Sequence, residues 1–341
     1  MGRLLDTAAE HRSTVDEIAM TSAASVAREW SRADPARLES EWTARAPQLA
    51  AAVSSAQLEA AQQATGYIAS TVGGTAALAA QSFSGVTREG REIAPELYSG
   101  VTHTKRLIGA GVGVGAAFQA GTALMSILAA NTIRDAGRSA DNTLAVANGA
   151  LYSVRVVSPG ACSRCAILAG VKGYRTDFER HPECRCFSMP LRDNETPEGF
   201  FQHPSDYFES MTEVEQDRVF TKSGAWAIRN GADPIKVVNA RRGAYKTSTL
   251  RADGSYSRSR LRPVTIGVRP DGSPLQVYAT LEGTTARGAW GRGRSELVKV
   301  GDERYRRSNT LRLMPESVMK MTTSESPERI RELLKRYGYI I

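Results

Sequence analysis

The chain has 341 residues, aromatic side chains make up 7% of it, and its formal charge is +8. That length accommodates two or three domains with a sizeable core, and sparse aromatics beside heavy alanine use at the N-terminal end point to helices packed through small side chains. The charge is uneven: from Ala240 to Leu313 sixteen Arg and Lys face six Asp and Glu, a net of +10 that leaves −2 for the rest and makes the C-terminal part the place where a polyanion would bind.

The N-terminus carries Arg3, Asp6, Glu10, His11, Arg12, Asp16 and Glu17 before Ile18 and has no apolar run of the secretory type. From Leu4 to Ser31 the residues Leu5, Ala8, Val15, Ile18, Ala19, Ala23, Val26 and Trp30 recur mostly at three- and four-residue steps, the pattern of an amphipathic helix that needs a partner. Ala33-Asp34-Pro35 predicts a break, with Asp34 as N-cap of a second helix and Pro35 at its first position. Leu38, Trp42, Leu49, Val53 and Leu58 form that helix's apolar face, and Pro47 is expected to kink or interrupt it. The pair is expected to make an antiparallel hairpin or part of a bundle.

From Leu107 to Ile133 no residue is charged, a run long enough to cross a bilayer, which takes about 20 apolar residues. Gly109, Gly111, Gly113, Gly115, Gln119, Gly121, Thr122, Ser126 and Asn131 dilute its hydrophobicity and favour a buried core helix over a membrane span. Gly109-x-Gly111-x-Gly113 is no dinucleotide loop, because Thr102–Arg106 before it makes a poor buried strand. A further helix is expected from Thr132 to Asn148, then a strand over Tyr152–Val157 that leads through Ser158-Pro-Gly160 to the cysteines.

All four cysteines fall within twenty-five residues: Cys162-Ser-Arg-Cys165, eighteen residues, then Cys184-Arg-Cys186. Two close pairs joined by such a loop have the spacing of a structural zinc knuckle, each pair offering two thiolates from one turn. The second pair is tighter than usual, and His181 could replace one sulfur to give a Cys3His set. Two disulfides in an oxidising compartment or on a virion surface, or four reduced cysteines packed as small hydrophobes, suit the same residues. A redox role for the CxxC lacks a bracketing strand and helix.

Beyond the second pair come Met189-Pro190 and then an expected polar loop. Thr212-Glu-Val-Glu215 is a capping box, Phe220 to Gly231 reads as a helix closed by Asn230-Gly231, and Asp233-Pro234 opens another. Pro263–Arg269 and Leu275–Ala279 flank Pro-Asp-Gly at 270–272, a β-hairpin. Around it lie Arg241, Arg242, Arg258, Arg260, Arg292, Arg294, Arg304, Arg306 and Arg307, candidates for polyanion contact that equally suit a solvated surface. Ser326-Pro327 begins a final helix running to Tyr337 and stopped by Gly338. The expected fold is α+β and mainly α: a long-helix region over 1–140, a small Cys-rich, zinc-knuckle-like core over 141–243, and a basic part over 244–341 with a hairpin and a terminal helix.

Cys162-x-x-Cys165-x4-Gly170, then His181-Pro-Glu-Cys184-Arg-Cys186 and Pro190, resembles the core motif of the MuF-like minor head proteins of tailed bacteriophages. Phe220–Asp233, Val238–Gly243, Glu282–Gly288 and Arg312–Glu316 resemble the versions carried by phages of actinobacteria. The likeness covers roughly residue 130 to the C-terminus, while the N-terminal helices match in type alone. It implies a minor capsid protein present in few copies inside the phage head near the portal, acting in head morphogenesis, with portal protein and major capsid protein as partners and packaged DNA within reach. It also implies host cytoplasm as the place of assembly.

Proteins of this appearance are also labelled capsid maturation proteases, which makes proteolysis the rival function. The chain contains no His-Glu-x-x-His and no Gly-x-Ser-x-Gly. His103, His181 or His203 beside some serine, or Cys162 or Cys165 beside His181, supply the residue types of a catalytic pair without any spacing that requires one, so no catalytic residue is assigned.

Overall fold

A computed structural model describes residues 3–157, 160–174, 184, 186–193, 203–244, 246–247, 260–283, 297–300, 303–306, 311–322 and 324–340. In chain order it begins with helices α1 (Arg3–Trp30), α2 (Leu38–Thr71), α3 (Ile93–Gly109) and α4 (Val114–Ala147). Strand β1 (Tyr152–Val156), the single turn α5 (Ser163–Ala166), and strands β2 (Lys172–Tyr174) and β3 (Phe187–Leu191) follow. Then come helices α6 (Pro204–Glu209), α7 (Glu213–Phe220), α8 (Lys222–Arg229) and α9 (Pro234–Arg242). Short strands β4 (Lys246–Thr247), β5 (Arg260–Leu261), β6 (Val264–Val268), β7 (Pro274–Val277), β8 (Ala279–Gly283), β9 (Leu297–Val300), β10 (Glu303–Arg306) and β11 (Leu311–Leu313) precede α10 (Pro315–Met321) and α11 (Pro327–Arg336). The protein is mainly helical, with a long N-terminal helical region, small sheets and a terminal helix. It divides into two compact units, one formed chiefly by α1–α4 with β1–β3, the other chiefly by α6–α11 with β4–β11.

In the first unit α4 packs against α1, α2 and α3. Ala8, Val15, Ala19, Ala23, Val26 and Trp30 of α1 are all buried, at the three-, four- and seven-residue steps of one helical stripe. Val15, Ala19, Ala23, Val26 and Trp30 meet Val53, Ala56 and Ala60 of α2 and Met125, Ala129 and Ile133 of α4 in one core. Gly100 and Gly121 set the approach of α3 to α4: a Cβ on Gly121 would stand 2.5 Å from the Gly100 carbonyl oxygen and 1.9 Å from Thr104 Oγ1.

Four local expectations are corrected. Helix α2 starts at Leu38, because Asp34 spends its Oδ1 on the Ala36 N–H at 2.9 Å and holds Pro35 in the preceding turn. It runs through Pro47, whose missing hydrogen bond is outweighed by burial of Leu49 and Val53 immediately after it. The uncharged run is two helices. Gly111 at φ 85° ends α3, with Val112 N–H on Leu107 O and Gly111 N–H on Ile108 O, while Leu107, Val112 and Ala117 close over the turn. Helix α4 then continues past Asn131 without the expected break. By length and composition α4 is apolar enough to cross a membrane, and Ala117, Phe118, Met125, Ala129 and Ile133 on it are buried within the bundle.

Strands β2-β1-β3 form an antiparallel sheet whose Val154, Phe187, Met189 and Leu191 share a core with Ala64, Tyr67 and Ile68 of α2 and Ala140 and Leu144 of α4. Met189 and Pro190 both lie in β3, where Pro190 is tolerated because β3 is at the sheet edge. In the second unit the capping signals hold. Thr212 and Glu215 complete both arms of a capping box, Asp233 caps α9 through Ile235 N–H at 2.8 Å, and Ser326 caps α11. Strands β6 and β7 make the expected hairpin around Gly272.

Candidate metal centre

Cys162 and Cys165 bracket the start of α5, where the Cys162 carbonyl accepts the N–H groups of Cys165 and Ala166, both at 3.0 Å. Cys184 and Cys186 come just before β3. Cys165, Cys184 and Cys186 are 3%, 2% and 1% exposed, and their sulfur atoms lie within 4.8 Å of one another. Three thiolates around one tetrahedral zinc, with Zn–S near 2.3 Å, would stand about 3.8 Å apart, so the group can close on an ion with small side-chain adjustments. Three buried soft ligands select a thiophilic metal over a hard cation such as magnesium or calcium. Cys162 is exposed and lies outside this trio, and His181 lies outside the described residues. No disulfide joins these four cysteines in the structure.

Charged groups of α1 and α4 crowd around the CxC pair. Arg138 Nη2 donates to the carbonyl oxygens of both Cys184 and Cys186, each at 2.7 Å, while its Nη1 faces Asp135 Oδ1 at 3.6 Å. One turn on, Asp141 Oδ2 is 2.9 Å from His11 Nε2, and the imidazole stacks flat on Tyr67 with ring centroids 4.1 Å apart. Arg134 Nε reaches Asp16 Oδ1 at 2.6 Å. His11, Asp16, Arg134, Arg138 and Asp141, with Cys186 and Phe187, line a cavity of about 20 Å³, room for one water molecule but not for a substrate.

Larger cavities lie elsewhere, and their histidine is spoken for. A pocket of about 860 Å³ in the second unit is lined by His203, Ser205, Gln216, Arg229, Asp233 and Tyr339 among others. His203 Nδ1 accepts the Ser205 N–H at 3.2 Å and lies 3.1 Å from its Oγ, the geometry of an N-cap on α6 rather than of a base activating a nucleophile. His103 contacts Arg106 Nη2 at 3.0 Å, and burial, then that guanidinium, push its pKa below the usual imidazole value. The His11–Asp141 pair is the arrangement that sequence patterning misses, since its partners stand 130 residues apart.

Of the arginines proposed for polyanion contact, Arg241 is partly buried and paired with Glu316, and its Nη2 also donates to Thr221 Oγ1 at 2.8 Å. Arg242 is exposed at the end of α9, Arg260 lies on β5, and Arg304 and Arg306 lie on β10. Arg258, Arg292, Arg294 and Arg307 lie outside the described residues. No protein-family model, curated protein or solved structure matches the chain.

Proposed function

We propose that this chain is a minor head protein of a tailed bacteriophage, non-catalytic, acting in capsid assembly near the portal, with a structural zinc at its cysteine motif. The observation that carries the reading is the CxxC…HPxCxC motif itself, whose Cys165, Cys184 and Cys186 are buried with their sulfurs close enough to share an ion. Cys162 or His181 would complete the tetrahedron. A closed four-ligand set has no open position for a water or substrate, so the metal would supply folding energy and not Lewis-acid chemistry. A long helical bundle ahead of the cysteine segment agrees with the domain order of the MuF-like proteins. The portal and major capsid proteins are the proposed partners. Arg242, Arg260, Arg304 and Arg306 are the described arginines assigned to packaged DNA, binding through phosphate charge and therefore weakening as salt rises.

Mass spectrometry of purified particles tests the role. The chain is expected in the head at a few copies per particle, with the co-expressed major capsid protein unchanged in size when the chain is present. Its absence from particles, or capsid-protein fragments that vanish on substituting one Cys, His or Ser of this chain, would overturn the proposal in favour of a maturation protease.

A further inference from the structure

We infer that Arg138 is the positioning residue of the CxC ligand pair, holding Cys184 and Cys186 in the geometry that binds the metal; this rests on the metal reading of the cysteines. A single guanidinium nitrogen takes the carbonyl oxygens of residues i and i+2 at 2.7 Å each. Two carbonyls drawn to one donor fix the peptide plane that follows each cysteine, and with it the direction in which each Cβ atom leaves the backbone. The donor itself is fixed: Arg138 sits on α4, a helix packed on the rest of its bundle, and the Arg138 and Asp135 side chains are 11% and 10% exposed. Ligand pairs on loose chain must be ordered at the moment of binding, whereas this pair is ordered beforehand.

Charge points the same way. Three thiolates and one divalent ion sum to −1 with a histidine as fourth ligand and to −2 with Cys162, and a buried anion needs a nearby cation or donor. Arg138 brings its positive charge to hydrogen-bond distance of both cysteine backbones, with Asp135 as its counterion when the metal is absent. Lysine cannot reproduce this, because its ammonium is a point charge on a flexible stem and lacks the planar fork that presents one nitrogen to Asp135 and the other to the carbonyls.

The test uses the full chain, reduced and stripped of metal, titrated with zinc against a chromophoric chelator and with cobalt for its thiolate absorption. Arg138→Met keeps the stem's bulk and removes every donor. It is expected to weaken zinc binding about 10–100-fold, the range for losing an outer partner of a metal ligand, and to alter the cobalt spectrum. Arg138→Lys is expected to recover part of the affinity, and its spectrum is expected to lie between the two; it carries the test alone if the Met variant does not fold. Asp135→Asn leaves the carbonyl contacts in place and is expected to stay within about threefold of the parent. Parent-like affinity and spectrum in Arg138→Met, or in Arg138→Lys where only that variant folds, overturns the positioning role while leaving the metal site standing. A parent protein that binds neither metal overturns both.

Discussion

Tyr67 is 4% exposed, stacks on His11, and donates its hydroxyl to the Ser188 carbonyl on β3 at 3.1 Å. Burial first, and then the charge of Asp141, hold its pKa well above the ordinary phenol value of 10.0. A group whose folded-state pKa is raised contributes stability that is fully present below its unfolded pKa and is lost as pH rises toward the folded one. Stability of the helical unit is therefore expected to fall above about pH 10, with Tyr67 still un-ionised in the folded chain. Spectrophotometric alkaline titration of the folded chain should show equal numbers of reversibly ionising tyrosines in the parent and in Tyr67→Phe, and one more in the parent would contradict this. Little of the cluster's detail was legible from residues alone. His11 stood out only as one of the N-terminal polar residues, and Arg138 and Asp141 carried no signal of their own, because the interactions that give them meaning join α1, α4 and the chain before β3. The cysteines were legible, since their spacing alone restricts what they can do.

At the scale of elements, signals confined to one turn were readable, Asp34-Pro35 excepted, and signals shared between distant helices were not. Thr212, Asp233 and Ser326 cap the helices they were expected to cap, because each needs only the N–H groups two or three residues ahead. The glycine-rich stretch was harder, because its glycines do two jobs. Gly111 supplies the left-handed residue that ends α3, whereas Gly121 lets α4 approach α3 where a side chain would strike the Gly100 carbonyl. Gly121→Val is accordingly expected to force the two helices apart at a cost of about 1–3 kcal/mol, lowering the melting temperature by roughly 2–12 °C, whereas Gly115→Ala, with open space around its Cβ, should be neutral or mildly stabilising. Equal melting temperatures for Gly121→Val and the parent would remove the close-approach argument.

At the scale of the whole molecule, composition and packing divide the chain differently. The basic character begins near residue 240, yet α9 packs on β8 and α8 on α10, so residues on both sides of that composition change belong to one unit. Arg241 shows why a charge count misjudges surface. It stands among the basic residues, but its charge is consumed by Glu316 and its Nη2 by Thr221. Arg241→Ala is expected to lower the stability of this unit by about 1–3 kcal/mol, between an exposed ion pair and a fully buried one, and to leave the salt dependence of DNA retention unchanged. Arg242→Ala is expected to do the reverse. A stable Arg241→Ala protein with a reduced salt slope would show that Arg241 faces the polyanion after all.

The account turns on whether the cysteine motif holds a metal, and elemental mass spectrometry of the chain purified under reducing conditions, beside Cys184→Ser, measures it most directly. About one zinc per chain, lost in Cys184→Ser together with much of the folded protein, is the predicted result. No bound metal, four titratable thiols and an intact fold in Cys184→Ser would contradict it.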